Sequence, residues 1–227
     1  MTYKIFAAAN GGCSGQKRHV LRPMVERVVP RIPFPDLATM NPAQRAVHDA
    51  IVNGPRGLLA GPLRAALHNP ELADKWQQFG ALLRYRTSLA KRHSELAILV
   101  TARAWNCSFE WFQHEPHALA AGLPPALLDA LRAGARPTFI DPADEAIYDY
   151  ASQLQRDRTV TDEAHRAVKA IYGVTGTVEL TALIGYYTLV AMTLNAHAFD
   201  LPAGADDPFG GPAAMPPEPA EIGPSIE

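Results

Sequence analysis

Apolar residues in the middle of the chain recur with a helical period, and capping and turn residues cut that pattern into segments. Asn41-Pro42 and Asn69-Pro70 each read as an N-cap with proline at the first helical position. The second pair launches a helix from Glu71 to about Arg84, with Leu72, Trp76, Phe79 and Leu83 on one stripe. Ser88 is read as the cap of a helix from about Lys91 to Trp105, with core positions Leu96, Leu99, Val100 and Ala104. Ser108 caps the next helix, which reaches Ala121 and stops at Gly122. Pro124-Pro125 begins a short helix to about Ala133, and Asp141-Pro142 starts another with Ile147, Tyr150, Ala151 and Leu154 facing inward. Helices over Thr161 to Tyr172 and Thr175 to about Phe199 complete the set. No stretch shows the alternation and β-branched density of a strand, so the fold class is all-α.

The two ends break this pattern. Residues 1–40 lack a sustained period, carry Pro23, Pro30, Pro33 and Pro35, and read as an irregular N-terminal arm. The Gly11-Gly12-Cys13-Ser14-Gly15 run lacks both the phosphate-loop frame and a preceding strand, so it reads as coil. Residues 201–227 hold seven prolines and four glycines and read as a disordered tail. One helical domain is left, over residues 41–200.

Composition narrows the function classes. With 227 residues, 48% hydrophobic and 19% charged content, and a net charge of −2, the chain describes an ordinary globular protein. Nucleic acid is excluded as the main partner, because a phosphate-binding face shows as excess Lys and Arg. Ile5 to Ala9 is too short for a secretory core. Leu180 to Ala196 is interrupted by Gly185, Tyr186, Tyr187, Thr188, Thr193 and Asn195, and falls short of the roughly 20 apolar residues of a membrane span. It reads as a helix buried in the fold or shared between subunits. Two cysteines without a C-x-x-C pair predict a reducing, cytoplasmic setting.

Candidate chemistry concentrates in residues 95–122. Cys107, Glu110, His114 and His117 stand at offsets 0, 3, 7 and 10, along one helix face, with Trp111 and Phe112 as walls. Glu110 lies one turn before His114, within salt-bridge reach, where it would raise the imidazole pKa or fix one tautomer; an exposed i,i+4 pair is the plainer reading. Pro116 predicts a kink around His114. Glu95 opens the preceding helix, where the helix dipole favours a carboxylate in any case. Cys107 precedes a helix N-terminus, which lowers a thiol pKa, while Glu110 pushes the other way. Glu110, His114 and His117 could ligate a metal, but no matching set comes from a second helix, so no metal is predicted. Arg86, from the Arg84-Tyr85-Arg86 run, is the candidate clamp for a substrate carboxylate, with Trp111 and His117 as further substrate contacts.

Cys107-Ser-Phe-Glu110-Trp111-Phe-Gln-His114 through Gly122, preceded by Arg92-His-Ser-Glu95-Leu-Ala-Ile-Leu, resembles the carboxymuconolactone decarboxylase family of the alkyl hydroperoxidase D-like superfamily. The resemblance runs from about Pro62 to Pro202, with support from Leu83 to Leu89 and Val178 to Ala191. It implies a helical bundle that assembles into homo-oligomers (trimer, hexamer or dimer), and a pocket at Glu95, Cys107, Glu110 and His114. It also implies cofactor-independent chemistry on a small carboxylated lactone or keto acid from aromatic catabolism. By that analogy His114 donates the proton, Glu110 orients it and Glu95 relays protons. The hydroperoxidase branch closes a disulfide within Cys-x-x-Cys; Glu110 stands at the second cysteine's place here and cannot do so. The alternatives are a peroxide reductase using Cys107 with an external resolving thiol, and a non-catalytic small-molecule binding module.

Overall fold

A computed structural model describes residues 30–210 of the chain. Among the described residues there are eight helices and no strand: α1 (Pro42–Val52), α2 (Leu63–Ala66), α3 (Pro70–Tyr85), α4 (Lys91–Ala104), α5 (Ser108–Ala120), α6 (Pro125–Arg132), α7 (Pro142–Asp157) and α8 (Asp162–Ala196). The all-α expectation holds, and so do several caps. Asn41 forms a reciprocal capping box with Gln44, Asn69 accepts from the Leu72 N–H at 3.1 Å, and Asp141 accepts from the Ala143 N–H at 2.9 Å. Each of these three helices starts on a proline, whose missing N–H is not needed in the first turn.

α4 is the central element. Every residue from His93 to Ala102 is buried, and the helix packs on α5, α7 and α8. A helix covered all round needs its N-terminus satisfied by its neighbours. Ser88 does not cap it: the N-cap is Ala90, without a side-chain bond. The Ser88 N–H and hydroxyl instead donate to Glu179 of α8, at 2.8 and 2.6 Å, and the Ala90 N–H donates to the Tyr172 hydroxyl at 2.9 Å.

Tyr172 reaches that point because α8 breaks beside it. Gly173 adopts φ 65° and ψ −169°, a left-handed conformation that costs glycine little, and this splits α8 into the two helices read from the sequence. The expected stripe on α3 is corrected. Trp76 and Leu83 face the core with Ala73 and Gly80, whereas Leu72 and Phe79 stand about half exposed, at 50% and 46%. α5 runs on as helix through Pro116 to Ala120.

α8 is long and apolar enough to cross a membrane, but half of its most apolar stretch is buried inside the fold. Residues 30–40 and 201–210, the described parts of the arm and tail, pack on the helices: the Phe34 and Phe199 rings meet at 4.8 Å, and those of Trp111 and Phe209 at 5.4 Å. The glycine-rich run with Cys13, and the tail from 211 onward, lie outside the described residues.

Candidate functional site

α4 and α5 pack side by side, and this packing brings Glu95 of the first against His114 of the second. Both side chains are buried, and the imidazole Nδ1 lies 2.7 Å from Glu95 Oε2. Lys91, one turn before Glu95, places its ammonium 2.5 Å from the other oxygen, as a charge contact without hydrogen-bond alignment. Burial alone would raise the Glu95 pKa, but the hydrogen bond from His114 and the Lys91 charge together pull it down to about 2. An ionised carboxylate can only accept, so His114 Nδ1 carries the hydrogen and donates it. Burial lowers the His114 pKa and outweighs the pull of Glu95, with Arg84 and His117 adding to the lowering. The imidazole is therefore neutral near pH 7, with Nε2 left as a free acceptor.

The partner expected for His114 is corrected. Glu110 is buried too, but neither of its carboxyl oxygens has a hydrogen-bond partner. Burial pushes its pKa well above the ordinary carboxylate value, so it holds a proton. His114 and Glu110 nevertheless open into one cavity of about 110 Å³, walled also by Arg56, Arg84, Tyr186 and Tyr187. The Tyr187 ring meets the His114 ring edge-on at 4.9 Å between centroids. The cavity thus joins a proton-poor imidazole to a proton-rich carboxyl. Two groups driven in opposite directions by their surroundings form an acid–base pair.

The other expected residues fall elsewhere. Cys107 is fully buried as the N-cap of α5, outside the cavity wall, and burial, with Glu110 adding, pushes its thiol pKa up rather than down. Trp111 is buried on another side of α5, donating its indole N–H to Glu115 at 3.1 Å. His117 is exposed, its ring 6.0 Å from that of His114. Arg86 follows the end of α3, exposed and outside the cavity wall; Arg84, two residues earlier, lines the cavity. Arg56, Tyr186 and Tyr187 escaped the sequence reading as site residues. Their one sequence signal is the tyrosine pair set in an otherwise apolar helix.

Glu110, His114 and His117, weighed above as metal ligands, are not among the groups whose ligating atoms converge. Among the described residues the ligating atoms that converge, within 4.8 Å, are those of His93, Asp141 and Asp144. Arg92 already occupies both Asp144 oxygens, at 2.8 Å to Oδ1 and 2.5 Å to Oδ2, which suits that cluster poorly to a dication.

The fold is an alkyl hydroperoxidase D-like helical one. Residues 70–153 match the model of the carboxymuconolactone decarboxylase family. Similar solved structures include an uncharacterised peroxidase-related protein with an alkylhydroperoxidase AhpD core from Ralstonia eutropha JMP134. It is 18% identical, with a TM-score of 0.64 over 81% of this chain and 96% of that one. An uncharacterised peroxidase-related protein from Silicibacter sp. TM1040 is 16% identical, with a TM-score of 0.60 over 77% and 92%. A cysteine-to-alanine variant of the debrominase Bmp8, in complex with 2,3,4-tribromopyrrole, is 12% identical, with a TM-score of 0.62 over 78% and 95%. These likenesses concern the fold. No curated protein matches the chain.

Proposed function

We propose that this protein is a cofactor-independent acid–base enzyme, carboxymuconolactone decarboxylase-like, acting on a small carboxylated lactone or keto acid. The observation that carries the reading is the pairing, in one cavity, of a neutral His114 anchored by Glu95 with a proton-bearing Glu110. In a decarboxylation, the bond to the departing carboxylate breaks and its electrons pass into a conjugated carbonyl. CO2 leaves, and the enolate carbon takes a proton. Glu110 is the donor with a proton to give at neutral pH, and Arg84 supplies positive charge for the enolate oxygen. The proton consumed in each turnover comes from solvent acid (hydronium or buffer): His114 Nε2 takes it up and passes it to the Glu110 carboxylate, which restores both groups. This order differs from the family analogy, in which His114 gives the proton.

The thiol route has little support. Cys107 is sealed from the cavity and hard to ionise, and thiol titration with and without peroxide is expected to find it unreactive. The cytoplasmic setting belongs to the same proposal, supported by the free, buried thiol of Cys107. So does a homo-oligomer. Val174, Val178, Leu189 and Met192 leave an exposed apolar stripe along α8, and light scattering on the purified chain is expected to give more than one copy.

The functional test is a panel of carboxylated butenolides and β-keto acids assayed for CO2 release in D2O. Turnover with one deuterium delivered to the product carbon, lost in His114→Ala while the helical circular dichroism spectrum persists, is the expected result. Full turnover in that variant contradicts the proposal.

A further inference from the structure

The acid–base pair says how a proton moves; a separate set of groups in the same cavity bears on what is held there. Arg56 and Arg84 both line the cavity, and the Nε of each guanidinium is buried without a hydrogen-bond partner. A buried donor left unpaired costs free energy that a ligand acceptor would recover. Arg56 comes from the loop between α1 and α2, and its position has an identifiable cause. Its terminal nitrogen donates to the Tyr186 hydroxyl at 3.4 Å, and both groups lie against α3 at Gly80. A side chain at position 80 would collide with that hydroxyl and with the Arg56 guanidinium. The missing Cβ leaves the space in which the Arg56 guanidinium and the Tyr186 hydroxyl meet. Tyr186 in turn packs edge-on against Tyr187 at 5.3 Å, next to His114.

We propose that Arg56, seated in the gap at Gly80, is the anion-reading residue of this cavity, and that its ligand is a small planar carboxylate whose acid group lies between Arg56 and Arg84. The inference rests on the proposed function for the identity of the site. It adds the residue that selects the substrate, which lies outside the family segment 70–153. The cavity, about 110 Å³ with Pro62, Leu63, Val190 and Leu194 among its walls, is smaller than the roughly 150 Å³ that accommodates benzene, which limits the enclosed part of the ligand to a compact ring or less. Two forked guanidinium groups match a planar carboxylate, which each can grip through paired N–H donors.

The test is equilibrium binding, by calorimetry, of 2-furoate and benzoate against 2-furamide and benzamide, with inorganic phosphate as a third arm. The full-length protein is expected to bind the carboxylates at least about tenfold more tightly than the amides, the value of a charge-assisted hydrogen bond. Arg56→Gln is expected to cut that preference severalfold, Arg84 keeping the remainder, while leaving amide binding in place. Arg56→Lys keeps the charge without the fork and should fall between. Gly80→Ala fills the gap and should lower carboxylate affinity with Arg56 still present, so the result does not hang on one variant. Equal binding of acid and amide by the unaltered protein, an unchanged preference in Arg56→Gln, or tighter binding of phosphate than of either carboxylate overturns the proposal. No turnover enters this measurement, so it can fail or succeed independently of the acid–base reading.

Discussion

Two carboxylate–histidine pairs each take one member from α4, His93 in one and Glu95 in the other, and they serve different ends. His93 uses both ring nitrogens: Nδ1 meets the Tyr172 hydroxyl at 2.6 Å and Nε2 lies 3.4 Å from Asp144 Oδ1. Asp144 is itself gripped by Arg92. Nothing in that cluster is left to react, and its work is to tie α4 to α7 and α8. His114 uses one nitrogen on Glu95 and opens into a cavity beside a partnerless carboxyl. Both imidazoles are buried, and burial lowers both pKa values, so titration alone does not separate them. The separating feature is the hydrogen bond that remains unmade.

If that distinction is right, damage to the two clusters reads out differently. The largest effect is expected at His114, where replacement by Ala removes a general acid–base group and lowers turnover about 10²–10⁴-fold with the fold intact. Next comes Glu95→Gln, which deprives Nδ1 of its charged acceptor. Turnover is expected to fall less than in His114→Ala, and the acid limb of the pH–rate profile to move down, since the carboxylate that favours imidazolium is gone.

Asp144→Ala should do the reverse. It removes charge-assisted bonds from Arg92 worth about 1.5–3 kcal/mol and lowers the melting temperature by roughly 3–10 °C, while turnover per folded molecule is retained. A loss of turnover without a loss of melting temperature would show the two clusters to be one.

The smallest effect on stability, and the most diagnostic, is at Glu110. Its folded pKa is raised above the ordinary value of 4.5, so the unfolded chain ionises it first, and stability drains away as pH rises above 4.5. Glu110→Gln is therefore expected to melt higher than the parent at pH 7, with the gain shrinking to nothing near pH 4.5, and to lose activity. Thermal melts across that range check it; a variant less stable at pH 7 than at pH 4.5, relative to the parent, contradicts the assignment.

How much of this could be read from the sequence follows from the distance over which each contact acts. The caps at Asn41, Asn69 and Asp141 are local, and periodicity plus proline revealed them. Glu110 and His114 were likewise drawn into one site by helical spacing. Their pairing was not settled by that spacing, because i,i+4 neighbours can point apart, and the real partner, Glu95, lies 19 residues away on another helix. The run Arg84-Tyr85-Arg86 carries no mark of which guanidinium faces inward. The helix stops at Tyr85, which sends residue 86 to solvent and leaves Arg84 one turn from Gly80, facing inward. Arg56 and Tyr186, 130 residues apart, meet only through the gap at Gly80, and a single chain carries no local mark of such a meeting.

The central claim is that His114 is a neutral imidazole, hydrogen on Nδ1 and lone pair on Nε2, held so by Glu95. Nitrogen NMR of the protein labelled with ¹⁵N-histidine, titrated from pH 8 to pH 4 and assigned through His114→Asn, measures this directly. The predicted result is the Nδ1–H tautomer at pH 7 with protonation only below the ordinary value of 6.5. An imidazolium at pH 7, or a hydrogen on Nε2, would contradict it.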